Sequence, residues 1–572
     1  MQVDINDKAA LRQLVNTLTE RGQKEILVPL LKSQLHLLDG EYHKAKTSLK
    51  EIFHDFEADQ TTIFLVASII SKIKNEAGLK VILLGIRKEL LGFWLKTENV
   101  SNLKRFLKEL RFNKTSSPLY LKAVSKFLIS FFANTAYQQR QIDLAFFLEQ
   151  EIYTNYITAV ETETAFGYGM KLTVAEAEKA GRSQSLAVNN FQYDNEVTKI
   201  GFFFHNASML AHISNIFSYL NVASEKSFSD FVPYIFCLGG RHERFEQSFA
   251  EIGVQVVYLD VDEQQNSIPL ISERLHFLKK QCAALKIDKI VWGCLASFMP
   301  YAFSMRIAKE QIWWSQKWQS LDSRHIDKYI WSYSMDKEKT IYSRTWRCGW
   351  FQQNTWLTPN SNEMADDYRA NFPGKVILGS LARTDKLRDV VYLNIICEIL
   401  KKHKNTVYLW AGREEDTFIK SKFEEAGVYS RTKFIGWVDT NKFAHVFDIL
   451  MDTISIGNGS TALQAMQAGT PVLIYKSSPE NKTLDQLTGS FLTNTSKENQ
   501  YARKTGSIFT QSNFGDLYTC ASNAEEYLSI ADKLIVDVDF RAAVGNAFAK
   551  FIKELMTTPE TSYDIFTEHL LA

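Results

Sequence analysis

The order of hydrophobic and polar positions divides the chain into a helical part and a part where strands alternate with helices. Up to about Gly181, apolar residues recur at spacings of three and four, as at Leu11, Leu14 and Leu18, and glycine and proline are scarce. A polar stretch at 181–196 ends this pattern. The first part is therefore predicted to be all-α.

One segment of the helical part has the form of a helical hairpin. Residues 37–53, LLDGEYHKAKTSLKEIF, are similar to one helix-turn-helix step of a tetratricopeptide-like array, with Ala45 as a small packing residue. No regular repeat period follows, so a solenoid is not predicted. The pattern leaves two interpretations open: a platform for a polypeptide partner, or a helical domain that only packs.

After residue 196, short apolar runs alternate with helical stretches in two sets. The first set predicts strands at 199–204, 232–238, 254–259, 289–292, 311–314 and 328–331, and helices at 210–220, 245–252 and 271–285. An irregular aromatic stretch at 332–374 separates it from the second set. That set predicts strands at 375–378, 407–410, 433–435, 449–451 and 471–475, helices at 391–401, 417–426 and 442–447, and a helical tail after about 523.

Strands separated by helices of this length indicate parallel sheets covered on both faces. The predicted fold class is therefore α/β, with two Rossmann-like doubly wound domains after an all-α domain. The predicted boundaries are 1–190, 191–370 and 371–572. Two such domains in tandem are expected to form a ligand cleft at the carboxyl ends of their strands.

Composition narrows the class of protein. The chain has 572 residues, 45% of them hydrophobic, and a net charge of +1, so neither disorder nor a nucleic-acid surface is indicated. Six widely spaced cysteines without a CxxC argue against a disulfide scaffold or a structural zinc site. The N-terminus lacks the pattern of a signal peptide, and no apolar run is long enough for a transmembrane segment. A cytoplasmic location is expected.

Three loops of the second set are expected to converge at the carboxyl edge of its sheet. The most informative is IGNGSTALQAMQAGTP at 456–471, where a glycine-bearing loop opens a helix that ends at Ala468-Gly469. Unpaired N–H groups at such a helix start bind phosphate. The other two loops carry cations suited to a diphosphate. The residues singled out are Arg383, Lys386, Arg413, Asn458, Gly459, Ser460, Thr461 and Gln464.

In the first set, His205 and His212 flank the junction between the first strand and its helix, where a general base or an orienting group is expected. A structural role is the alternative for each. His445 is predicted on helix 442–447 in a neutral packing or capping role. Three tryptophans at 313, 314 and 318 either stack on a sugar or pack the core, with the core favoured.

Several other functions lack their sequence patterns. No G-x-S-x-G, no G-x-x-x-x-G-K-[ST] and no H-E-x-x-H occurs. No G-x-G-x-x-G follows the first strand of either set, which disfavours a nicotinamide dehydrogenase.

With these residues in view, the chain resembles the GT-B glycosyltransferases. More narrowly, it is similar to the clan that joins O-GlcNAc transferases with bacterial cytoplasmic N-glycosyltransferases of adhesins. The likeness rests on LGSLARTDKL at 378–387, DILMDTISIGN at 448–458, AGTP at 468–471 and the histidine-bearing loop at 205–212.

The resemblance implies a UDP-sugar donor, no metal or other cofactor, and inversion at the anomeric carbon. It implies that Lys386 contacts the diphosphate and that His212 faces the sugar and acceptor. The implied acceptor is a polypeptide, such as an adhesin or another surface protein. Two positions depart from the pattern: Gln464 stands where a carboxylate usually holds the ribose, and Gln316-Lys317-Trp318 replaces a Gly-His-Pro turn.

Three competing functions follow from the same residues. One is a GT-B transferase that builds surface polysaccharide, with a purely structural helical region. A second is a nucleotide-sugar epimerase of similar fold, which the long N-terminal region disfavours. The third is a degenerate, non-catalytic transferase that serves as an interaction protein.

Overall fold

The structure is a computed structural model, and its described residues form two compact units. One unit comprises the helical region up to residue 190 together with residues 268–276 and 296–307, and the other comprises the remainder. The described residues are 8–20, 27–55, 66–67, 69–70, 73, 75–97, 103, 106–107, 118–158, 171–185, 188–208, 211–293, 297–315, 323–331, 338–341, 344–348, 366–382, 384–412, 414–454, 460–475, 514–555 and 559–572.

In the described residues before 190, the helical unit is formed by α-helices and contains no strand. Its helices are α1 (Lys8–Glu20), α2 (Leu27–Leu38), α3 (Tyr42–Asp55), α4 (Glu76–Thr97), α5 (Pro118–Val124), α6 (Ser130–Gln138), α7 (Ile142–Thr158) and α8 (Val174–Arg182). A π-helical turn, Ser125–Ile129, joins α5 to α6. The α2–α3 hairpin turns at Gly40, whose φ of +75° is the left-handed conformation that glycine adopts most easily. Ala45 of α3 is fully buried.

A buried polar cluster and close contacts hold the last helices of this unit. Glu149 of α7 accepts hydrogen bonds from the hydroxyls of Tyr137 (2.6 Å) and Thr173 (2.7 Å). A Cβ built on Gly181 would lie 2.0 Å from the hydroxyl of Ser304, so α8 lies against the segment 296–307 with no room for a side chain. That segment folds with the helical unit although the chain reaches it only after four strands.

The first sheet has the strand order β3-β2-β1-β4-β5-β6, followed by β8-β7. Its strands are β1 (Lys199–Phe204), β2 (Val232–Cys237), β3 (Gln255–Tyr258), β4 (Lys289–Trp292), β5 (Glu310–Ser315), β6 (Lys328–Trp331), β7 (Glu338–Ile341) and β8 (Arg344–Cys348). Helices α9 (Ala211–Glu225), α10 (Glu243–Glu251), α11 (Ile271–Ala284) and α12 (Met299–Ser304) connect them. The first six strands are parallel and follow the Rossmann order.

The stretch 332–374, predicted to be irregular, contains an antiparallel hairpin, so that prediction is wrong in part. Strands β7 and β8 pair with Glu338 opposite Arg347, and these two residues also form an ion pair. Both side chains are exposed, and the strand sequences EKTI and RTWRC show no regular alternation of apolar and polar residues.

The second sheet repeats the same order, β11-β10-β9-β12-β13-β14, with every pair parallel. Its strands are β9 (Val376–Ser380), β10 (Thr406–Trp410), β11 (Thr432–Phe434), β12 (Ile449–Met451), β13 (Val472–Tyr475) and β14 (Cys520–Ala521). Its helices are α13 (Thr384–Leu387), α14 (Val390–Lys402), α15 (Thr417–Glu425), α16 (Thr440–Ala444), α17 (Ser460–Gln467), α18 (Ala524–Val536) and α19 (Val538–Leu555). The predicted fold class, two Rossmann-like sheets after an all-α region as in GT-B proteins, is confirmed.

The last helix, α20 (Pro559–Leu571), packs on the first sheet rather than on the second, with which the sequence grouped it. Phe566 stacks on Trp314 with ring centroids 4.6 Å apart. The ammonium of Lys289 donates to the carbonyls of Leu570 (2.8 Å) and Leu571 (3.1 Å), which satisfies the carboxyl end of the helix. In the described part of the chain, no helix combines the length and apolar character that a membrane crossing requires.

Candidate functional site

The second sheet has a topological switch point between β9 and β12. These two strands are hydrogen-bonded neighbours, and the connection from β9 leads outward to β10 while that from β12 leads the other way to β13. Loops that diverge in this way leave a crevice at the carboxyl ends of the strands, where ligands of doubly wound sheets bind. The two loops that border this crevice begin at Leu381 and Asp452.

A buried hydroxyl network fixes the strand ends beneath this crevice. Ser380, the last residue of β9, donates from Oγ to the carbonyl of Met451, the last residue of β12, over 2.9 Å. Tyr392 bonds to Ser380 and, over 3.1 Å, to the same carbonyl. Burial raises the pKa of Tyr392 well above its ordinary value and that of Tyr408 to about 12. The hydroxyl of Tyr408 bonds to that of Tyr392 over 3.3 Å, and both phenols remain protonated and keep their hydrogen bonds at neutral pH.

The carboxyl end of β12 continues into a buried segment. Asp452 and Thr453 are almost fully buried, and the backbone N–H of Thr453 donates to the Asp452 carboxylate over 3.0 Å. Tyr527 of α18 donates to the carbonyl of Asp452 over 3.2 Å. Burial, and after it the charge of Asp452, raises the pKa of Tyr527 well above its ordinary value. These hydrogen bonds fix the position of Asp452, from which the chain continues towards α17.

The loops that follow β9, β10 and β11 contact one another, as the sequence predicts for the first two. A Cβ built on Gly412 would lie 3.0 Å from Oγ1 of Thr384, the first residue of α13. The N–H of Gly412 donates to the carbonyl of Gly436 over 3.1 Å. Lys386 lies on α13 and is partly exposed. Arg383 and Arg413 lie outside the described residues.

Helix α17 begins at Ser460, so the predicted helix start is present. Asn458 and Gly459 lie outside the described residues, and the side chain of Ser460 is not described. Thr461 is partly buried in the first turn. The turn after the helix contains Gly469 with φ of +76°, where a helix end was predicted.

Gln464 lies one turn inside α17 and is held from a neighbouring helix. The hydroxyl of Thr440, the first residue of α16, donates to Oε1 of Gln464 over 2.8 Å. The preceding residue, Asp439, caps α16 by accepting from the N–H of Asn441 over 3.0 Å. The Gln464 amide is therefore held in place at the start of α17.

In the first sheet, His205 directly follows β1, which is at the switch point beside β4. Its Nδ1 lies 3.5 Å from Nδ2 of Asn206, and the imidazole is partly exposed. His212 is the second residue of α9, and its side chain is not described. The structure thus places both histidines in one strand-to-helix connection.

Sequence reasoning missed a glycine-rich loop beside His205. Gly239-Gly240-Arg241 follows β2, and the carbonyl of Gly239 accepts from the N–H of Ala207 over 3.1 Å. The Arg241 guanidinium lies 3.5 Å from the ring centroid of Tyr258 and 3.4 Å from the Asp260 carboxylate. A Gly-Gly pair directly after a predicted strand was the signal that could have found it.

Aromatic residues divide between the core and the edge of the sheets. Trp313 and Trp314 are buried in the first sheet, so the packing interpretation is confirmed for both; Trp318 lies outside the described residues. Trp437, which the sequence analysis did not single out, follows Gly436 at the carboxyl edge of the second sheet and is 66% exposed.

Of the two roles predicted for His445, the structure shows the capping role, although the helix ends before this residue. Helix α16 ends at Ala444, and His445 is its C-terminal cap residue. Burial lowers the pKa of His445, which favours the neutral imidazole.

No protein-family model and no curated protein matches the chain. Among solved structures, a mutant of the O-GlcNAc transferase from Thermobaculum terrenum is similar at 13% identity and a TM-score of 0.48, over 100% of this chain and 97% of that one. HepE from Anabaena, in complex with UDP and glucose, is similar at 11% identity and a TM-score of 0.46, over 66% and 100%. UDP-GlcNAc 2-epimerase from Neisseria meningitidis is similar at 11% identity and a TM-score of 0.38, over 66% and 100%.

These likenesses include both a glycosyltransferase and an epimerase. Because every TM-score is below 0.5, the fold assignment rests on the strand order of this chain and not on these structures.

Proposed function

We propose that the protein is an inverting, metal-independent glycosyltransferase that moves a hexose from a UDP-sugar to an Asn or Ser/Thr side chain of a protein. The observation that carries this proposal is the switch point between β9 and β12. There the loops from two neighbouring strands diverge, and one of them leads into a helix start. This is the arrangement in which doubly wound sheets bind nucleotides.

The donor diphosphate is assigned to the backbone N–H groups of residues 458–461 and to the ammonium of Lys386. Arg383 and Arg413 are assigned to the rim of the same site. Helix-start amides and cations stabilise the negative charge that develops as a nucleoside diphosphate departs, without a metal ion. Gln464 is assigned to the ribose.

The acceptor reaction is a single displacement. The acceptor oxygen or nitrogen attacks the anomeric carbon opposite the diphosphate, and the bond from that carbon to the diphosphate oxygen breaks. The bonding electron pair leaves with UDP, and the acceptor proton passes to a base. His205 and His212, in the connection after β1, are the groups assigned to orient the acceptor or accept that proton.

The helical unit is assigned to a polypeptide acceptor, such as an adhesin or another surface protein. The support is the α2–α3 hairpin, which has the short glycine turn of helical-repeat proteins. The reaction is assigned to the cytoplasm. In favour of this location, four cysteines are free thiols in buried positions: Cys237, Cys282, Cys397 and Cys520.

A second candidate function is a non-catalytic, transferase-like interaction protein. The neutral Gln464, where a carboxylate would bind the ribose more strongly, is the observation that favours it. Such a protein could bind UDP but would transfer no sugar.

The test is transfer itself. The full chain is incubated with a panel of UDP-hexoses and the proteome of its own cell, and acceptor masses are read for the increment of one hexose. A hexose increment on polypeptides supports the proposal. An increment found only on saccharides or lipid-linked acceptors favours polysaccharide synthesis, and conversion of UDP-GlcNAc without an acceptor favours the epimerase. UDP binding without any product favours the non-catalytic protein.

A further inference from the structure

The amino edge of the second sheet contains a cavity of about 520 Å³, and its lining includes none of the residues assigned to the donor site. It lies where β9 begins at Val376, and Asp448, the residue before β12, also lines it. The candidate donor crevice is at the carboxyl ends of the same two strands. Because β9 has five residues, the two edges are roughly 16 Å apart along it. The volume is in the range of small-molecule sites, roughly 300–1,000 Å³.

The lining of this cavity is cationic. It includes Arg369, Lys375 and Arg541, together with a single carboxylate, that of Asp448. Asp448 is paired, because Oδ1 accepts from Nη2 of Arg369 over 2.7 Å and Oδ2 accepts from the N–H of Ile377 over 2.7 Å. Arg369 therefore neutralises Asp448, and the lining residues offer no further carboxylate to Lys375 and Arg541. A formal excess of two positive charges remains for an anion.

Backbone carbonyls hold the side chain of Arg541. This residue is in the first turn of α19 and is partly buried, and its Nη1 donates to the carbonyls of Leu534 (2.7 Å) and Ile535 (3.1 Å) at the end of α18. Nε and Nη2 of Arg541 form no hydrogen bond with another residue of the described chain. A guanidinium fixed on one side presents its remaining N–H groups in set directions, which suits a phosphate or a carboxylate. Lys375 is exposed and adds an ammonium on a flexible stem.

The remaining lining suits the carbon part of a small ligand. Phe372 and Pro373 are both at the cavity, and the Phe372 ring packs on Tyr368 with centroids 6.2 Å apart. Gly374 follows with φ of +67°, and a Cβ built on it would meet no atom within 4 Å. The cavity thus combines an apolar surface, open space and two cations without an acidic partner.

We propose that this cavity is a second anion site, which binds the dianionic phosphate of a small molecule such as a sugar phosphate. A phosphate monoester carries close to two negative charges at neutral pH, since its second pKa is about 6. This charge matches the excess of two positive charges, whereas a carboxylate supplies only one. Arg541 and Lys375 contact the phosphate, and Arg369 stays on Asp448. Because the site is at the opposite edge from the donor residues, its occupancy is independent of the proposed function.

The test compares three ligands with closely related carbon bodies by titration calorimetry of the full chain at fixed ionic strength: glucose 6-phosphate, glucuronate and glucose. Glucose 6-phosphate is expected to bind at least about tenfold more tightly than glucuronate, and glucose should not bind. Lys375→Gln removes an exposed cation and should weaken the binding of glucose 6-phosphate about threefold or more. Lys553→Gln changes an exposed lysine in the last turn of α19, roughly 18 Å along the helix from Arg541, and should leave the affinity unchanged.

Arg541→Gln removes the other cation and should weaken the binding of glucose 6-phosphate by about tenfold or more. Since Arg541 also bonds to the end of α18, thermal melting checks that the variant is folded. If it does not fold, Lys375→Gln decides the question, because that side chain is exposed.

Three results would overturn the inference. The first is that the unmodified chain does not bind glucose 6-phosphate at millimolar concentration. The second is that glucuronate binds as tightly as glucose 6-phosphate, which would show that the second negative charge has no partner. The third is that Lys375→Gln binds like Lys553→Gln while Lys386→Ala loses the binding, which would place the phosphate in the donor crevice.

Discussion

The hydroxyl of Ser380 and the carbonyl of Met451 are joined by a hydrogen bond of 2.9 Å between the last residues of two neighbouring strands. It lies where β9 and β12 separate, and Tyr392 reinforces it from α14. Because buried polar groups are costly to leave unpaired, this contact fixes the ends of β9 and β12 next to the crevice.

Ser380→Ala is expected to lower the free energy of unfolding by about 1–2 kcal/mol, because two buried hydrogen bonds are lost while Tyr392 still reaches the Met451 carbonyl. Urea unfolding followed by circular dichroism measures the change. Ser421→Ala, which removes a hydroxyl bonded within its own helix, is the control and should change stability by less than about 0.5 kcal/mol. Equal effects of the two substitutions would show that the Ser380 network adds no stability.

Gly379 of β9 has no room for a side chain. A Cβ built there would lie 2.3 Å from the ring of Phe447, which is itself buried. Gly379→Ala is expected to cost about 1–3 kcal/mol through overpacking of this core. Phe447→Leu removes the ring, and the double variant should lose less stability than the sum of the two single variants. Strict additivity in urea unfolding would argue against the contact.

The sequence predicts the two sheets well because each strand carries its own signal. Runs such as KIGFFF at β1 and KYIW at β6 are short, apolar and bounded by polar residues, and their limits agree with the structure. The β7–β8 hairpin was missed because its strand sequences, EKTI and RTWRC, show no regular alternation of apolar and polar residues. Strand β14 was missed because two residues are too few for any period.

The site was less predictable because it depends on contacts between distant residues. The chain order locates the loops after β9, β10 and β12, since carboxyl ends of parallel strands share one edge. It does not reveal that Thr440 holds Gln464, 24 positions away, or that Gly239 contacts Ala207. The sequence likewise does not predict that α20 packs on Trp314, because no pattern in the helix indicates which of the two sheets it contacts.

Glu149, a buried acid of the helical unit, is expected to make the free energy of unfolding fall as the pH rises. Burial raises the pKa of Glu149 from 4.5 to about 8, against the hydrogen bonds from Tyr137 and Thr173, which lower it. Between these two values the folded state holds a proton that the unfolded state has released. The tighter proton binding of Glu149 in the folded state therefore adds to the free energy of unfolding below about pH 4.5. This addition is lost as the pH rises towards about 8.

Glu149→Gln keeps the shape of the side chain and removes the titration. The stability of this variant relative to the unmodified chain should rise with pH between 4.5 and 8, with a limiting slope of about 1.4 kcal/mol per pH unit. Urea unfolding at a series of pH values measures the difference. A difference independent of pH would mean that Glu149 titrates alike in both states.

Substitution of Lys386 tests whether this lysine binds the donor diphosphate or is only a charge on the protein surface. If its ammonium contacts the diphosphate, Lys386→Ala should weaken UDP binding by about tenfold or more, the usual effect of losing a charge-assisted hydrogen bond. Uridine, which has no phosphate, should bind both proteins alike. Lys404→Ala removes an exposed lysine that precedes β10, at the opposite edge of the same sheet, and serves as the matched control. Calorimetric titrations in which Lys386→Ala and Lys404→Ala bind UDP equally well would remove Lys386 from the donor site.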